Sequence, residues 1–392
     1  MKHYKYLIIG GGLTGDAAAR GIRELDAEGS IGMFSMESDP PYIRPKLSKD
    51  LWKGKPLEKI WCNTQNLHNV ELNLGCKITQ LDMHKKNARD EKGNEYTFNK
   101  LLLATGGSPK HLPFGGEDII YFRSFQDYQQ LRALSERGEN FLVIGGGFIG
   151  SEIAAALTMV GKKVTLVFPD EAIGASIYPN ELAHYLNDYY RQKGVEVVTN
   201  DSVVNMEKSR SRFTVRTRGG RAFEVDGVVA GIGIHPNLEL VQQSDLKIEN
   251  GIVVNEQLLT SIPDVYAAGD VANFFHFALG KRTRVEHEDN ATHMGKVAGR
   301  NMAGANDSYN HAPMFYSDLF ELGYEAVGEM SSKLEMITDW QEPLKKGVIY
   351  YLENGRVRGV LLWNVWKQVD NARALLAETG PFKAADLKNR LS

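Results

Sequence analysis

Residues 6–20 read YLIIGGGLTGDAAAR, a short apolar run followed by a glycine-rich turn and a helix-forming stretch. An apolar run of this length is typical of a strand buried in a parallel sheet. In a strand-turn-helix unit, Gly10 permits the tight turn, Gly12 lets the backbone approach a pyrophosphate, and Gly15 lets the helix pack closely on the strand. The helix N-terminus then faces the negative charge of the phosphates. The pattern predicts that this unit binds a dinucleotide.

A second copy of the pattern occupies residues 141–160. It consists of the apolar run 141–144, the glycine turn 145–150 and an apolar helix predicted over 151–160, with Gly161 as its C-cap. A single glycine pattern is a weak sign, because an ordinary tight turn can carry it. Here two patterns stand 135 residues apart, and each is framed by a strand and a helix. We therefore expect two bound dinucleotides.

Acidic residues follow the second strand of each predicted unit. In the later unit, Asp170 comes shortly after the apolar run 164–168. A carboxylate at this position can accept hydrogen bonds from a ribose 2′-hydroxyl and repel a 2′-phosphate, which favours NADH over NADPH. In the earlier unit, Glu37 follows the run 31–34 slightly late. Glu37 therefore either binds the adenosine ribose or is an ordinary solvated loop charge.

The composition restricts both the class of protein and its chemistry. With 392 residues, 42% hydrophobic and 24% charged, the chain is predicted to be globular with more than one domain. Its formal charge of -3 gives no overall attraction for nucleic acid. No apolar run approaches the roughly 20 residues that span a bilayer, and the opening residues leave no room for a signal peptide, so we expect a cytoplasmic protein. Only Cys62 and Cys76 occur, without C-x-x-C spacing, so redox chemistry must come from a bound cofactor.

The order of the motifs predicts a discontinuous first domain. A strand predicted over 100–104 ends in a breaking segment, and a second breaking segment, 231–237, follows the later dinucleotide unit. After it, residues 262–270 give a short strand that ends in Gly269-Asp270. Ligands of open α/β sheets sit at this C-terminal edge of the strands. The chain is therefore expected to return to its first sheet.

The fold class that follows is α/β, with two Rossmann-like dinucleotide-binding domains (FAD and NAD) and a C-terminal α+β domain. The C-terminal domain is indicated by two apolar runs around Asn354-Gly355, a dipeptide typical of a type I′ hairpin turn. Helical patterns follow at 369–378 and 384–391. The predicted domains are an FAD-binding domain of residues 1–112 and 249–304, an NAD(H)-binding domain of residues 113–248, and a C-terminal domain of residues 305–392.

The motifs, taken in this order, resemble the two-dinucleotide-fold flavoproteins of the pyridine nucleotide-disulfide oxidoreductase superfamily. The redox pair C-x-x-x-x-C of that superfamily is absent, and its usual place is taken by PYIRPKLSK, residues 41–49. This stretch resembles the ferredoxin-reductase-like branch, as does Ser317-Asp318, although that branch often has Trp where Tyr316 stands. A relay through two thiols is therefore excluded.

Within this branch the chain is most similar to the apoptosis-inducing factor group. Residues 336–346 are too short for the long C-terminal insertion of the animal members, so a microbial type is implied and the cell-death role is not carried over. The stretches that carry the similarity are LSKDLW at 47–52, GFIGSE at 147–152, RVEH at 284–287 and LWN at 362–364.

The resemblance implies that the first glycine turn binds FAD and the second binds NADH. It also implies that a helix beginning after Glu286-His287, predicted over 290–301, points its positive end at the flavin N1 atom and C2 carbonyl. No metal is expected. The residues implied to bind the two cofactors are Gly10, Gly12, Leu13, Thr14, Gly15, Glu37, Arg44, Lys49, Ala104, Thr105, Gly106, Gly145, Gly147, Phe148, Ile149, Gly150, Glu152, Asp170, Gly233, Gly269, Asp270, Glu286, His287 and Trp363.

Five residues are implied to act beside the flavin ring. Lys49 donates a hydrogen bond toward flavin N5 while Glu152 keeps its ammonium charged; the alternative is an ordinary surface ion pair. Phe148 covers the flavin until nicotinamide displaces it, or else is a plain packing residue. The resemblance places His311 and Trp363 near the isoalloxazine ring, although a lone His or Trp is more often structural.

Three functions remain open at this point. The leading hypothesis is an FAD-dependent NADH oxidoreductase that passes hydride to flavin N5 and then electrons to an unidentified acceptor, without a redox disulfide. The second is an NADH-dependent ferredoxin or rubredoxin reductase, whose partner is a small electron-carrier protein. The third is an NADH-sensing interaction protein that forms a homodimer on reduction.

Overall fold

The structure is a computed structural model that describes residues 1–391. Within those residues the helices are α1 (Leu13–Arg23), α2 (Phe125–Arg137), α3 (Phe148–Met159), α4 (Asn180–Gln192), α5 (Glu288–Met302), α6 (Val369–Ala377) and α7 (Ala384–Leu387). The strands are β1 (Lys2–Ile9), β2 (Ile31–Phe34), β3 (Val70–Asn73), β4 (Ile78–Asp82), β5 (Asn87–Asp90), β6 (Glu95–Leu103), β7 (Gly107–Pro109), β8 (Ile119–Tyr121), β9 (Asn140–Ile144), β10 (Lys163–Val167), β11 (Val195–Val198), β12 (Val203–Ser209), β13 (Arg212–Thr217), β14 (Ala222–Val225), β15 (Gly227–Ala230), β16 (Ile234–Pro236), β17 (Ile252–Val253), β18 (Val265–Ala267), β19 (Ala272–His276), β20 (Lys281–Thr283), β21 (Met314–Leu319), β22 (Leu322–Gly328), β23 (Glu335–Glu342), β24 (Lys346–Glu353) and β25 (Arg356–Trp363). The predicted α/β class is confirmed.

The chain folds into two compact units, each assembled from separate stretches of sequence. The first unit consists of Met1–Arg44, Leu57–Ser108 and His235–Pro313. The second unit consists of Pro45–Pro56, Pro109–Ile234 and the residues from Met314 onward. The short stretch that contains Lys49 therefore belongs to the second unit. The division into three functional domains stays a prediction.

The first unit is built on a seven-stranded sheet of order β3-β2-β1-β6-β5-β4, with β18 added beside β6. β1 is parallel to both β2 and β6, and β18 is parallel to β6. β1 begins at Lys2, four residues before the predicted apolar run, because its first half alternates between exposed and buried side chains and only the second half is continuously buried. The apolar run thus marks the buried half of a longer strand.

The second unit contains a five-stranded parallel sheet of order β11-β10-β9-β15-β8. Two antiparallel sheets complete it, one of order β12-β13-β14 and one of order β21-β22-β25-β24-β23. The helix predicted over 151–160 begins three residues earlier, at Phe148, because the last residues of the glycine turn already form its first turn. It ends at Met159, and Gly161 follows with φ +82°, as expected of a glycine that terminates a helix.

The two breaking segments of the sequence contain short strands. β7 and β16 pair as a two-stranded sheet, so each segment keeps three residues of extended structure that the sequence did not predict. Beside this pair, Thr105 and Asn237 exchange two hydrogen bonds of 2.8 Å, each from a side chain to the other residue's carbonyl oxygen. Both segments therefore contain defined hydrogen bonds.

The C-terminal hairpin is formed by β24 and β25. Asn354 and Gly355 both have positive φ, 53° and 75°, and Glu353 pairs with Arg356, which is the two-residue type I′ turn predicted from the sequence. The helix predicted over 384–391 is too long. It ends at Leu387, because Lys388 adopts an extended backbone and Asn389 a left-handed one.

Candidate active site

The first glycine turn connects β1 to α1. Gly10 has φ +131°, and a Cβ atom there would overlap the carbonyl oxygen of Ala104. A Cβ atom on Gly15 would overlap the carbonyl oxygen of Gly10, whereas one on Gly12, the N-cap of α1, would meet no heavy atom within 4 Å. The open side of the turn is therefore at Gly12, where the positive end of α1 favours a phosphate. These residues fit the pyrophosphate of a dinucleotide, and Leu13 opens the helix.

The segment that follows β18 lies against the same turn. Because β1, β6 and β18 are parallel neighbours, their C-terminal ends bring Gly10, Ala104 and Asp270 to one edge of the sheet. Gly269 has φ +76°, and a Cβ atom there would overlap the hydroxyl of Thr14. The backbone before Asp270 therefore packs directly on the start of α1.

A second helix N-terminus lies close to that of α1. Cβ atoms on Gly295 and Gly299 of α5 would overlap the carbonyl oxygens of Thr14 and Ala18, so the two helices touch along their backbones. Since Gly295 contacts the start of α1 and Gly299 the following turn, the two helices run in the same direction. Their positive ends therefore point to the same side of the first unit, where anionic groups are favoured. α5 begins at Glu288, two residues before the predicted start.

Glu286 and His287 precede α5. Glu286 accepts a hydrogen bond from Arg284 at 2.5 Å, and His287 is the N-cap residue of the helix. Burial lowers the pKa of His287 to about 4, against the opposing effect of Asp270 and Asp289. The imidazole is therefore neutral at pH 7 and presents one N–H donor and one acceptor nitrogen.

Glu37 lies in a small network with the arginine of the P-Y-x-R-P stretch. Tyr42 donates a hydrogen bond to Glu37 Oε2 at 2.5 Å, and Arg44 donates one to Oε1 at 2.7 Å. The Arg44 guanidinium also lies 5.0 Å from the centroid of the Tyr42 ring. Glu37 is thus not an isolated loop charge, and any ribose that it binds must share its oxygens with these two donors.

His311 contacts the first turn of α5. Its Nε2 atom lies 2.5 Å from Asp289 Oδ2, and its ring stacks on that of His293 with centroids 3.9 Å apart. These three side chains could ligate a metal ion, since their ligand atoms lie within 4.8 Å of one another. His293 Nδ1, however, is already 2.9 Å from the carbonyl oxygen of Asp289. Hydrogen bonds within the group account for its geometry.

The second glycine turn repeats the geometry of the first within the second unit. Gly145 has φ +110°, and Cβ atoms on Gly145 and Gly150 would overlap the carbonyl oxygens of Gly231 and Gly145. Gly147 is the N-cap of α3, and a Cβ atom on it would meet nothing within 4 Å. Phe148 and Ile149 follow as exposed apolar side chains. The turn has the open side that a second pyrophosphate requires.

Asp170 lies on the exposed surface three residues after β10, and its carbonyl oxygen accepts a hydrogen bond from the Asn200 N–H group at 3.0 Å. Gly233, in the second breaking segment, has φ +91° and lies beside the Lys110 side chain. The Lys110 N–H group donates to the Gly233 carbonyl oxygen at 2.9 Å. Gly106, at the corresponding point of the first breaking segment, also has positive φ, 67°.

Lys49 and Glu152 form a buried ion pair within the second unit. Lys49 Nζ lies 2.8 Å from Glu152 Oε2, and the two side chains are 8% and 2% exposed. Glu152 is held in the second turn of α3, four residues after Phe148, while Lys49 precedes a 3-10 turn over Asp50–Lys53. The alternative of an ordinary surface pair does not hold for this geometry, because both groups are withdrawn from water.

Three further side chains contact this pair. Ser48 and Ser317 each donate a hydrogen bond of 2.6 Å to Glu152, and the Tyr316 ring centroid lies 5.1 Å from Lys49 Nζ. All three residues stand in or beside the motifs that resemble the ferredoxin-reductase-like branch, but those motifs predicted no role for them. The position of Ser48 next to Lys49 in the chain could have indicated its role. Ser317 is 165 residues from Glu152 in the chain, and only the fold brings the two together.

Phe148 and Trp363 have opposite surroundings. The Phe148 side chain is 39% exposed, and its ring lies 5.5 Å from that of Phe315 at 69°. Trp363 is fully buried; its ring stacks on Tyr324, and its indole N–H donates to the Leu344 carbonyl oxygen at 3.0 Å. Phe148 is therefore open to a ligand, whereas Trp363 is part of the core of the second unit.

A small cavity of about 60 Å³ lies between the second glycine turn and Ser317. It lies within the second unit and so adjoins the hydroxyl that contacts Glu152. Its lining includes Tyr178, whose pKa is raised by burial. The residues that line it are Gly146, Gly147, Phe148, Ser151, Ile173, Gly174, Ser176, Ile177, Tyr178 and Ser317.

Comparison with protein families gives two matches. Residues 4–295 match the pyridine nucleotide-disulphide oxidoreductase model, and residues 298–345 and 337–378 match the C-terminal, mitochondrion-associated model of apoptosis-inducing factor. The chain belongs to the pyridine nucleotide-disulphide oxidoreductase family. This membership confirms the predicted resemblance and, with it, an FAD-dependent NADH oxidoreductase that uses FAD and NAD(H).

Individual relatives point in the same direction. The chain is 36% identical over 423 residues to apoptosis-inducing factor 1, mitochondrial, of Dictyostelium discoideum, with 96% of this chain and 79% of that protein covered. It is 33% identical over 388 residues to the 5,5′-dehydrodivanillate O-demethylase ferredoxin reductase subunit of Sphingobium sp. (strain NBRC 103272 / SYK-6), with 96% and 94% covered. Among solved structures it is similar to the covalent putidaredoxin reductase-putidaredoxin complex, with TM-score 0.91, 27% identity, and 99% and 96% covered.

Two expectations from the composition have structural counterparts. Neither Cys62 nor Cys76 forms a disulfide bond within residues 1–391. Burial raises the pKa of Cys76 to about 11, so this thiol is protonated at pH 7. Among residues 1–391, no helix combines the length and the apolar character needed to cross a bilayer.

Proposed function

We propose that the second glycine turn holds NADH for hydride transfer to FAD beside Lys49 and Glu152, and that the electrons then leave to a separate acceptor. The observation that carries this proposal is the buried pair of Lys49 and Glu152, whose charged atoms lie 2.8 Å apart. Glu152 belongs to α3, the helix that follows the second glycine turn. Bound FAD would supply the chemistry that the side chains lack, because it accepts two electrons as hydride and can release them singly.

The chain's own residues bind and orient the reactants. Gly12 and the start of α1 offer an open helix N-terminus to the FAD pyrophosphate, and Gly147 offers another to that of NADH. Lys49 presents a charged N–H donor that Glu152 keeps in place, which supports its proposed hydrogen bond toward flavin N5. Asp170 lies on the surface where it can bind the adenosine ribose of NADH and repel a 2′-phosphate.

Phe148 is proposed to cover the reacting ring until nicotinamide replaces it. Its 39% exposure and its edge-to-face contact with Phe315 support a ring that moves at low cost. His311 and Trp363 are proposed to act less directly. The fully enclosed Trp363 can only shape the wall behind the site, and His311 can act through Asp289 at the start of α5.

A second candidate function concerns the acceptor. The ferredoxin reductase subunit of Sphingobium covers nearly the whole chain, and the putidaredoxin reductase complex shares its fold. These similarities favour a small iron-sulfur protein as the electron acceptor. A cytoplasmic location and a homodimer are likewise proposals, and the NADH-sensing interaction protein is the competing reading.

Anaerobic titration of the purified yellow protein with NADH tests the proposed function. We expect the flavin absorbance near 450 nm to fall with a stoichiometry of about one flavin reduced per NADH added, since one hydride reduces one ring. A flavin that stays oxidised would refute the proposal. Stopped-flow reoxidation by a [2Fe-2S] ferredoxin, a rubredoxin, ferricyanide and oxygen then ranks the acceptors. Light scattering before and after addition of NADH tests the alternative of an NADH-sensing interaction protein. For that alternative, the molecular mass should double and reoxidation by every acceptor should be slow.

A further inference from the structure

Three consecutive residues of β21 contact the segment that carries Lys49. Ser317 Oγ donates to Glu152 Oε1 at 2.6 Å, the Tyr316 ring lies 5.1 Å from Lys49 Nζ, and Asp318 Oδ2 accepts from Lys53 Nζ at 2.6 Å. β21 is the edge strand of the C-terminal sheet. Side chains alternate along a strand, so Ser317 points to one face and its two neighbours to the other. The Lys49 segment and α3 therefore meet this strand on both of its faces.

Both carboxylate oxygens of Glu152 are held by donors. Oε1 accepts from Ser317, and Oε2 accepts from Ser48 and from Lys49. The two serine side chains are almost completely buried, so water does not replace them easily. Hydrogen bonds to an ionised acceptor are about twice as strong as those between neutral groups. A carboxylate with donors on both oxygens is fixed in rotation, and it fixes the ammonium that it binds.

We propose that Ser48 and Ser317 are positioning residues for hydride transfer, acting on Lys49 through the orientation of Glu152. The inference rests on the proposed function, and it makes the C-terminal sheet a working part of the redox site. The catalytic pair is supplied by the Lys49 segment and α3, and β21 supplies the donor that completes it. Removal of the Ser317 hydroxyl would leave Oε1 with no serine donor in a dry environment, so the carboxylate would turn and carry the ammonium away from its position.

The direct experiment compares Ser317→Ala and Ser48→Ala with Ser332→Ala, a matched control at an exposed serine of the same unit. Stopped-flow mixing with NADH gives the limiting rate of flavin reduction and the dissociation constant of NADH separately. We expect each of the two variants to lose about tenfold in the limiting rate, the worth of one hydrogen bond to a charged group, with the NADH constant within about twofold. Ser48→Thr, which keeps the hydroxyl, should recover most of the rate, and Ser332→Ala should match the original protein.

A second background separates positioning from general damage. In Glu152→Gln protein, where the carboxylate charge is gone, Ser317→Ala should cost less than about twofold in the limiting rate, because the serine acts only through that carboxylate. Hydrogen exchange of the flavin-free full chain gives a readout independent of activity. Ser317→Ala should speed exchange in the stretch that contains Ser48 and Lys53, and Ser332→Ala should not.

The outcomes are distinguishable. If the original protein is not reduced by NADH at all, the proposed function fails. If it is reduced and the serine variants transfer hydride at the original rate, the positioning role is refuted while the function stands. Equal losses in the original and the Glu152→Gln backgrounds would also refute it, since the serines would then act by another route.

Discussion

The ammonium of Lys49 and the carboxylate of Glu152 lie 2.8 Å apart although 103 residues separate them in the chain. Both belong to the second unit, and neither is appreciably exposed. A buried pair adds little net stability, because the cost of removing two charges from water offsets their attraction. Its position in the helix that follows the second glycine turn is therefore better explained by function than by folding.

Removing one partner of this pair should destabilise the protein more than replacing both partners by apolar residues. Glu152→Ala should lower the free energy of unfolding by about 3 to 5 kcal/mol, because it leaves a buried ammonium without its partner. The double variant Lys49→Met with Glu152→Leu should recover most of that loss of stability without restoring the original rate of hydride transfer. Urea denaturation of the three proteins measures the first effect and anaerobic NADH reduction the second. A double variant as unstable as Glu152→Ala would contradict the buried-pair argument.

Gly10 and Gly12 of the first turn should respond differently to substitution by alanine. Gly12→Ala should fold with an unfolding temperature close to that of the original flavin-free protein but lose FAD, since its Cβ atom occupies only the open side of the turn. Gly10→Ala should fail to fold or unfold at far lower temperature, because the Cβ atom overlaps the Ala104 carbonyl group at a left-handed backbone position. Flavin content measures FAD binding by each variant, and thermal unfolding measures its stability. A yellow Gly12→Ala protein would count against FAD at this turn.

The second turn allows a test of which cofactor each turn binds. Gly147→Ala should retain FAD and its absorption spectrum and bind NADH at least about tenfold more weakly, because the backbone can no longer approach the pyrophosphate. Equilibrium titration with NAD⁺ or NADH gives the constant. Loss of flavin from this variant, with pyridine nucleotide binding intact, would mean that the two turns are assigned in the wrong order.

His287 should make the flavin-free protein acid-sensitive. Its pKa is lowered by burial from 6.5 to about 4, so between these values the unfolded chain binds a proton that the folded protein does not. Stability is therefore unaffected above pH 7 and falls as the pH drops from 6.5 toward 4, by about 3 kcal/mol at most. His287→Gln should remove this component from urea-denaturation curves at pH 7.5 and 4.5. The control His68→Gln, at an exposed histidine, should lose as much stability between pH 7.5 and 4.5 as the original protein. The same loss in His287→Gln would show that His287 does not cause the acid sensitivity.

Asp170 should set the preference between NADH and NADPH. Asp170→Ser should raise the ratio of kcat/KM for NADPH over NADH by about tenfold, equivalent to about 1.4 kcal/mol, because one repelling charge is removed. Steady-state reduction of ferricyanide with each nucleotide measures the ratio. Glu136→Gln, at an exposed carboxylate of α2, is the matched control. An unchanged ratio in Asp170→Ser would remove Asp170 from the ribose site.

Much of the fold was predictable because its signals are local. The strand 31–34 and the I′ turn at Asn354-Gly355 were predicted as the structure has them. Errors arose where a helix end depended on its surroundings. The predicted last helix overran Leu387, since nothing in the sequence showed that Lys388 and Asn389 would leave the helical conformation.

The sequence alone determined the two glycine turns, because a turn's glycines and the helix that follows are neighbours in the chain and their backbone conformations are set locally. Through family motifs it also indicated Lys49 and Glu152. Only the tertiary structure decided that Ser48 and Ser317 hold that carboxylate and that Trp363 is enclosed in the core. These contacts join residues far apart in the chain, and no local propensity specifies which hydroxyl donates a hydrogen bond to a buried carboxylate.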